Sequence, residues 1–339
     1  MLINGYKVDV EEARRWAREK GVRRALIQSP LGLRKVAQAL AEKLSSDLED
    51  SLIHGGSCWG GCDLAASHAK AIQADGIIHL GHARFLEEDP IPTLYLECRI
   101  ADSKPVLTAL EKAWKLIKGC KRVGVGAIVQ WLDSLAQVRM KLKEHGVEML
   151  TGAPLPPLRY EGQVLGCSYN PLLNLYKMVD CYLIIGSKFH GLGLALQTDK
   201  PVFSLDPELQ QVSSLDSEVE RVLRSRYGYI EEFRRGGRVG ILVSVKPGQY
   251  RMSVALKLKR ILGDHGKRAE ILIMDDVEAE LLRSSGFDGF VNTACPRLSI
   301  EDQQSVGMPL LLPMEALIAV GAAGWEEVAK TPRYFSMEV

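Results

Sequence analysis

Residues 23–44, RRALIQSPLGLRKVAQALAEKL, decide the fold. The first eight are a short apolar run that stops at the turn residues Ser29 and Pro30, as a buried strand does. From Leu33 the apolar residues recur at helical spacing, so a helix follows the turn at once. Working outward, SLIHG at 51–55 reads as a second strand. It is followed by a loop of Gly and Cys, a helical stretch at 63–73, and the strands GIIHLGH at 76–82 and TLYLE at 93–97. The same alternation recurs twice. Helix 103–119, strand 122–129, helix 131–146, strand 147–150, helix 171–179 and strands 181–187 and 201–206 form a second set. A charged helix after Pro207, strand 239–245, helix 249–266, strand 269–275, helix 277–286, strand 289–296 and a final LLLP plus helix form a third. About four short buried strands linked by helices specify a parallel, doubly wound sheet each time. The expected fold is therefore α/β, with three similar doubly wound domains (1–103, 104–206 and 207–339) packed around a central cleft.

At 339 residues the chain is long enough for cores of this number. A formal charge of +1 leaves no broad basic footprint, which argues against direct binding of nucleic acid. The longest apolar runs, such as PLLLP at 309–313, are too short to cross a membrane. The first 22 residues read as an amphipathic helix bearing acids and bases rather than a signal peptide. A reducing, cytoplasmic setting is expected, and seven cysteines, an odd number, do not suggest a disulfide framework.

Three cysteines stand apart: Cys62 in WGGCD, Cys167 in GQVLGC and Cys295 in TACPR, one in each third and each placed after a strand. Cys62 and Cys167 follow the second strand of their sets, and Cys295 follows the third. Ligands of doubly wound sheets collect at the carboxyl ends of strands. Three thiolates on a cluster of four metals leave one position open for chemistry. Glycines beside Cys62 let the backbone approach a bulky inorganic core, and a helix start favours the thiolate. Cys58 forms a CxxxC spacing with Cys62, which fits a second ligand choice, a redox pair or chance. Cys98, Cys120 and Cys181 read as small buried structural side chains.

These motifs, together with ALIQSPLGL, IIHLGH, IGSKFHGLGLAL and VSVKPGQ, occur in an order and at a spacing that resemble the archaeal 2-(3-amino-3-carboxypropyl)histidine synthases of diphthamide biosynthesis. The resemblance covers essentially the whole chain. It implies three α/β domains that each give one cysteine to a 4Fe-4S cluster, carried here by Cys62, Cys167 and Cys295, with Cys62 preferred over Cys58. It further implies that the open iron takes S-adenosylmethionine and that the reduced cluster breaks the bond from sulfur to the methionine Cγ. The aminocarboxypropyl fragment then passes to C2 of a histidine in elongation factor 2, releasing 5′-methylthioadenosine. Orientation of the sulfonium, rather than bond strength, selects the bond. A homodimer is implied by the same analogy.

Around such a cluster, the turn Ser187–Gly191 opens a helix whose free N–H groups suit the methionine carboxylate, with His190 inside it. His82, Gln28 and Gln249 end strands of the first and third units and are expected to contact the ligand, whereas His79 is expected to be structural. The basic stretch 221–238 reads as a solvated helix face or as a docking surface for an acidic partner. Three rival readings are a quinolinate synthase-like enzyme, a non-catalytic supporting subunit of the same family, and a zinc-binding module. The first lacks its motifs here, and retention of all three cysteine motifs disfavours the second.

Overall fold

The computed structural model describes residues 1–338. Val339, the last residue of the expected third unit, lies outside them. The chain opens differently from the expected helix. Strands β1 (Leu2–Ile3) and β2 (Tyr6–Lys7) pair antiparallel around Asn4-Gly5, whose φ angles are +50° and +86°. Both central residues of a two-residue hairpin turn of this hand need positive φ, which Asn-Gly supplies. The helix starts only at Val10 and runs to Lys20, capped by the Asp9 carboxylate, which accepts the Glu12 N–H at 3.0 Å.

Three sheets follow, and all are wound alike. The first contains β3 (Arg24–Gln28), β4 (Asp50–Ile53), β5 (Gly76–Leu80) and β6 (Thr93–Leu96), in the order β4-β3-β5-β6 and all parallel. The second contains β7 (Arg122–Ala127), β8 (Glu148–Leu150), β9 (Cys181–Ile185), β10 (Val202–Asp206) and β11 (Gln211–Ser214), in the order β8-β7-β9-β10-β11. The third contains β12 (Arg238–Ser244), β13 (Arg268–Met274), β14 (Gly289–Asn292) and β15 (Leu310–Leu311), in the order β13-β12-β14-β15. Each sheet thus runs second-first-third-fourth in chain order. The antiparallel β11 is an addition peculiar to the second. Strands β5 and β9 are buried at every position, which explains their unbroken apolar runs. A continuous core joins the second sheet to the third through residues such as Tyr182, Ile184, Ile241 and Val291.

One polar device repeats with the sheets. The carboxylate of the residue just before each third strand accepts both N–H groups at the start of the first strand. Asp75 accepts from Arg23 and Arg24 at 2.9 and 2.8 Å, and Asp180 from Lys121 and Arg122 at 2.7 and 2.8 Å. Asp288 accepts from Gly237 and Arg238 at 2.7 and 2.8 Å.

Three further expectations are corrected. Cys120 and Cys181 are joined in a disulfide that ties the approach to β7 to the start of β9, rather than standing free. The helix expected over 171–179 is a single turn, Asn170–Leu173, after which the chain proceeds through successive turns to Met178. Within the basic stretch, Arg226 is not solvated. It lies fully buried in the helix Asp216–Arg235 and grips Glu315 with Nε at 2.9 Å and Nη2 at 2.5 Å. Its remaining donors reach Ser299 O, Gln303 Oε1 and Leu310 O. Tyr334 closes the network by donating to Glu315 Oε1 at 2.7 Å. Every donor of the guanidinium that is named here has an acceptor, the condition under which a buried charge is tolerated.

Candidate functional site

Cys62 lies on the loop between β4 and the helix Ala66–Ala71. Cys167 lies between β8 and the turn Asn170–Leu173, and Cys295 is the N-cap of the helix Pro296–Ile300 after β14. All three loops leave carboxyl ends of strands, and they meet. The three thiols together bound a cavity of about 350 Å³ and a second, wider one of about 790 Å³. Backbone as well as side chains holds them there. Gly248 donates its N–H to Cys62 O at 2.9 Å, and a Cβ at that glycine would come within 2.5 Å of Cys62 Cα. A Cβ at Gly166 would fall 2.2 Å from the Phe189 ring, so the Cys167 loop also needs glycine for close approach.

The sheets are stitched together at this point. Lys246 bridges Asp63 at 3.1 Å and Asp276 at 2.6 Å, linking the loops after β4, β12 and β13. Arg159 donates to Arg84 O and Leu86 O at 3.0 and 2.8 Å. Arg297, from the TACPR motif, stacks over Phe189 at 4.1 Å from the ring centroid and pairs with Glu301 at 2.7 Å.

Burial pushes the Cys62 thiol up to about 12, with Cys295 beside it pushing the same way. Cys167 is raised by burial and then by both other thiols, and Cys295 is raised by burial. Three half-buried thiols crowd each other at the cavity wall with Arg251 and Arg297 as the nearby cations, an arrangement that disfavours bare thiolates and suits bound iron. The donor set therefore fits a 4Fe-4S cluster held by three cysteines. Gln249 donates from Nε2 to Cys62 Sγ at 3.4 Å, the kind of N–H···S bond that cluster sulfurs receive.

Of the other expected contacts, His82, His190 and Gln249 line the same cavity. Burial, followed by Arg297, lowers both His82 and His190 to about 4, so both rings are neutral near pH 7. Gln28, Ser187 and Gly191 do not line it. Gln28 is fully buried, with Nε2 donating to Asp63 O at 2.6 Å and Oε1 accepting from Ala65 N–H at 3.0 Å. The same oxygen meets His79 Nδ1 at 3.0 Å, and His79 Nε2 meets His82 Nδ1 at 2.9 Å. Gln28 thus acts on the cavity through His79 and His82. Ser187 is exposed and touches His190 Nδ1 at 2.9 Å, and Gly191 faces Leu215 and Ser204 in the core. Arg297, Trp59 and Gln163 also line the cavity and were not singled out from sequence. Arg297 sat in plain view beside Pro296.

Three like-wound sheets with one thiol each at a shared cavity define a class: α/β proteins of three similar units built around a three-cysteine centre. The chain belongs to the diphthamide synthesis protein family, whose model matches residues 29–330. It is similar to the 2-(3-amino-3-carboxypropyl)histidine synthase of Pyrococcus horikoshii, with 33% identity over 89% of this chain and 86% of that one. It is also similar to subunit 1 of the Schizosaccharomyces pombe 2-(3-amino-3-carboxypropyl)histidine synthase, with 25% identity over 97% of this chain and 77% of that one. In structure it resembles Dph2 from Pyrococcus horikoshii with a 4Fe-4S cluster. The TM-score is 0.87 at 31% identity, covering 94% of this chain and 92% of that one.

Proposed function

We propose that this chain transfers the 3-amino-3-carboxypropyl group of S-adenosylmethionine to C2 of a histidine in elongation factor 2, the first step of diphthamide biosynthesis, releasing 5′-methylthioadenosine. The observation that carries the proposal is the convergence of Cys62, Cys167 and Cys295 on one cavity. In this reading the three thiolates hold a 4Fe-4S cluster. When bound, it supplies an electron and one iron with an open position. The protein's own residues then do the orienting. Neutral His190 and His82 offer hydrogen bonds without competing charge, Gln249 donates toward Cys62, and Arg297 offers a fixed cation to a carboxylate at the cavity wall. Lys246 and the Gly248 N–H keep the Cys62 loop against the third sheet, so the thiols stay in register. The reading divides the chain at 1–103, 104–206 and 207–339. It places the protein in the cytoplasm as a homodimer, with a protein rather than a nucleic acid as its second substrate.

Its test is anaerobic. Cluster-reconstituted protein, S-adenosylmethionine, dithionite and elongation factor 2 should yield methylthioadenosine together with an elongation factor labelled from the aminocarboxypropyl carbons. Release of 5′-deoxyadenosine with an unlabelled elongation factor would mean ordinary radical chemistry and sink the proposal.

A further inference from the structure

Beside the three-cysteine centre stands a second group of donors, two of which, Cys58 and His79, have no part in the transfer reaction. Cys58 Sγ, a nitrogen of His79 and a nitrogen of His82 lie within 4.8 Å of one another. Cys58 and His79 are buried, and His82 lines the cavity. We propose that Cys58, His79 and His82 form a second metal site, separate in its ligands from the cluster cysteines, for a borderline-soft divalent ion of the zinc type, with a water from the cavity as fourth ligand.

The hydrogen bonds around His79 set its tautomer. Gln28 Nε2 donates to Asp63 O and Gln28 Oε1 accepts from Ala65 N–H, which fixes the orientation of the amide. The contact between that oxygen and His79 Nδ1 at 3.0 Å is then a donation from Nδ1–H. Nε2 of His79 therefore carries a lone pair, and it faces His82 Nδ1 at 2.9 Å and Cys58 Sγ at 3.9 Å. A ligating imidazole with its other nitrogen tied to a fixed acceptor is the arrangement that orients histidine on metals. In a tetrahedral zinc site, bonds of about 2.0–2.1 Å to nitrogen and 2.3 Å to sulfur separate two nitrogens by about 3.3 Å and a nitrogen from sulfur by about 3.6 Å. The observed 2.9 and 3.9 Å fall on either side of those spacings, and the remaining Cys58–His82 pair lies within 4.8 Å, so side-chain shifts of up to about an ångström draw the three donors onto one ion. Two imidazoles and a thiolate select zinc, or cobalt as its probe, over magnesium or calcium. His82 gives the ion a way in from the cavity.

The test reads metal binding, not turnover, so its failure is separable from failure of the transferase reading. The full chain carrying Cys62→Ala, Cys167→Ala and Cys295→Ala lacks the cluster thiols and is titrated anaerobically with Co²⁺. One ion per chain should bind, with a thiolate-to-cobalt charge-transfer band and tetrahedral d–d bands. Both should vanish when Cys58→Ser is added. Gln28→Leu should keep the bands and weaken Co²⁺ binding roughly 10- to 100-fold through loss of the His79 orienter. Should the triple variant lose its far-ultraviolet circular dichroism, the cluster-loaded wild type and its Cys58→Ser variant are compared for zinc retained after desalting. Zinc in the first and none in the second supports the site. Absence of cobalt or zinc uptake, or uptake indifferent to Cys58→Ser, overturns it.

Discussion

Gln249, on the loop after β12, donates its side-chain N–H to Cys62 Sγ on the loop after β4, across 3.4 Å and between the first sheet and the third. An N–H directed at a cluster thiolate stabilises the more negative, reduced state and raises the reduction potential. Gln249→Leu removes the donor at similar size. The expected outcome in reconstituted protein is a potential shifted to more negative values with iron content retained, read by a redox titration followed by electron paramagnetic resonance.

Cys62, Cys167 and Cys295 differ from Cys98 in what they face. Alanine at any of the three should lose iron and acid-labile sulfide together, since two thiolates hold a 4Fe-4S cluster poorly. Cys98 is buried against the first sheet, its thiol turned to Leu96 O at 3.3 Å. Cys98→Ala should keep full iron content and cost at most about 1–2 kcal/mol in denaturant unfolding, as for loss of a small buried group.

Arg226 and Glu315 form a buried pair whose removal by halves is costly. Arg226→Met leaves the buried Glu315 carboxylate without its cation, with the Tyr334 hydroxyl and the Leu312 N–H as its remaining donors, for an expected loss of about 3–5 kcal/mol in urea unfolding. Arg226 also holds Ser299 O at 2.6 Å, in the helix that Cys295 caps, and Asn292 Nδ2 donates to Cys295 O at 2.7 Å. Iron should therefore be bound less tightly in the variant, measured by chelator competition below the unfolding temperature.

Much of this was legible in the sequence. The strands were readable because β3, β5, β9 and β12 are buried on both faces, and such strands are unbroken apolar runs. That the three cysteine loops would meet was readable because loops after strand ends converge in this topology. Elements whose signal is local and polar were not. Asn4-Gly5 is a hairpin turn within two-residue strands too short to show alternation. Strand β11, QVSS, is a mostly polar edge. Gln28 looked like a ligand contact because it ends a strand, yet its side chain points inward to Asp63 O and His79. The repeat was legible as recurring strand and helix alternation but not residue by residue, where what recurs is a single aspartate before each third strand.

Asp75, Asp180 and Asp288 each hold a carboxyl below the ordinary range because two backbone N–H groups donate to the charged form. A depressed folded value means the stabilisation is fully present above the unfolded value of about 3.9 and disappears as pH falls through the folded one. Alanine at each position should lower the melting temperature at pH 7. The gap from wild type should close as pH drops below about 4, where the wild-type carboxylates also lose their charge. The three losses should add, since the sites serve different sheets. A gap that persists unchanged into acid would show that packing, not charge, carries the effect.

His190 and His145 separate the cavity from the rest of the molecule. His190 lines the cavity beside Arg297 and contacts Ser187 Oγ at 2.9 Å. His145 stacks on Trp114 at 4.0 Å between ring centroids, where the helix Leu135–Glu144 ends. His190→Ala should weaken S-adenosylmethionine binding to cluster-loaded protein by roughly 5- to 10-fold, the worth of one neutral hydrogen bond of about 1–1.5 kcal/mol. His145→Ala should leave the affinity unchanged while lowering the melting temperature through the lost stack. Because burial holds His190 near 4, its contribution should not vary between pH 6 and 8, and calorimetric titrations across that range should give parallel wild-type and His190→Ala profiles. Equal affinities for the two variants would place the substrate elsewhere than the cavity beside Cys62, Cys167 and Cys295.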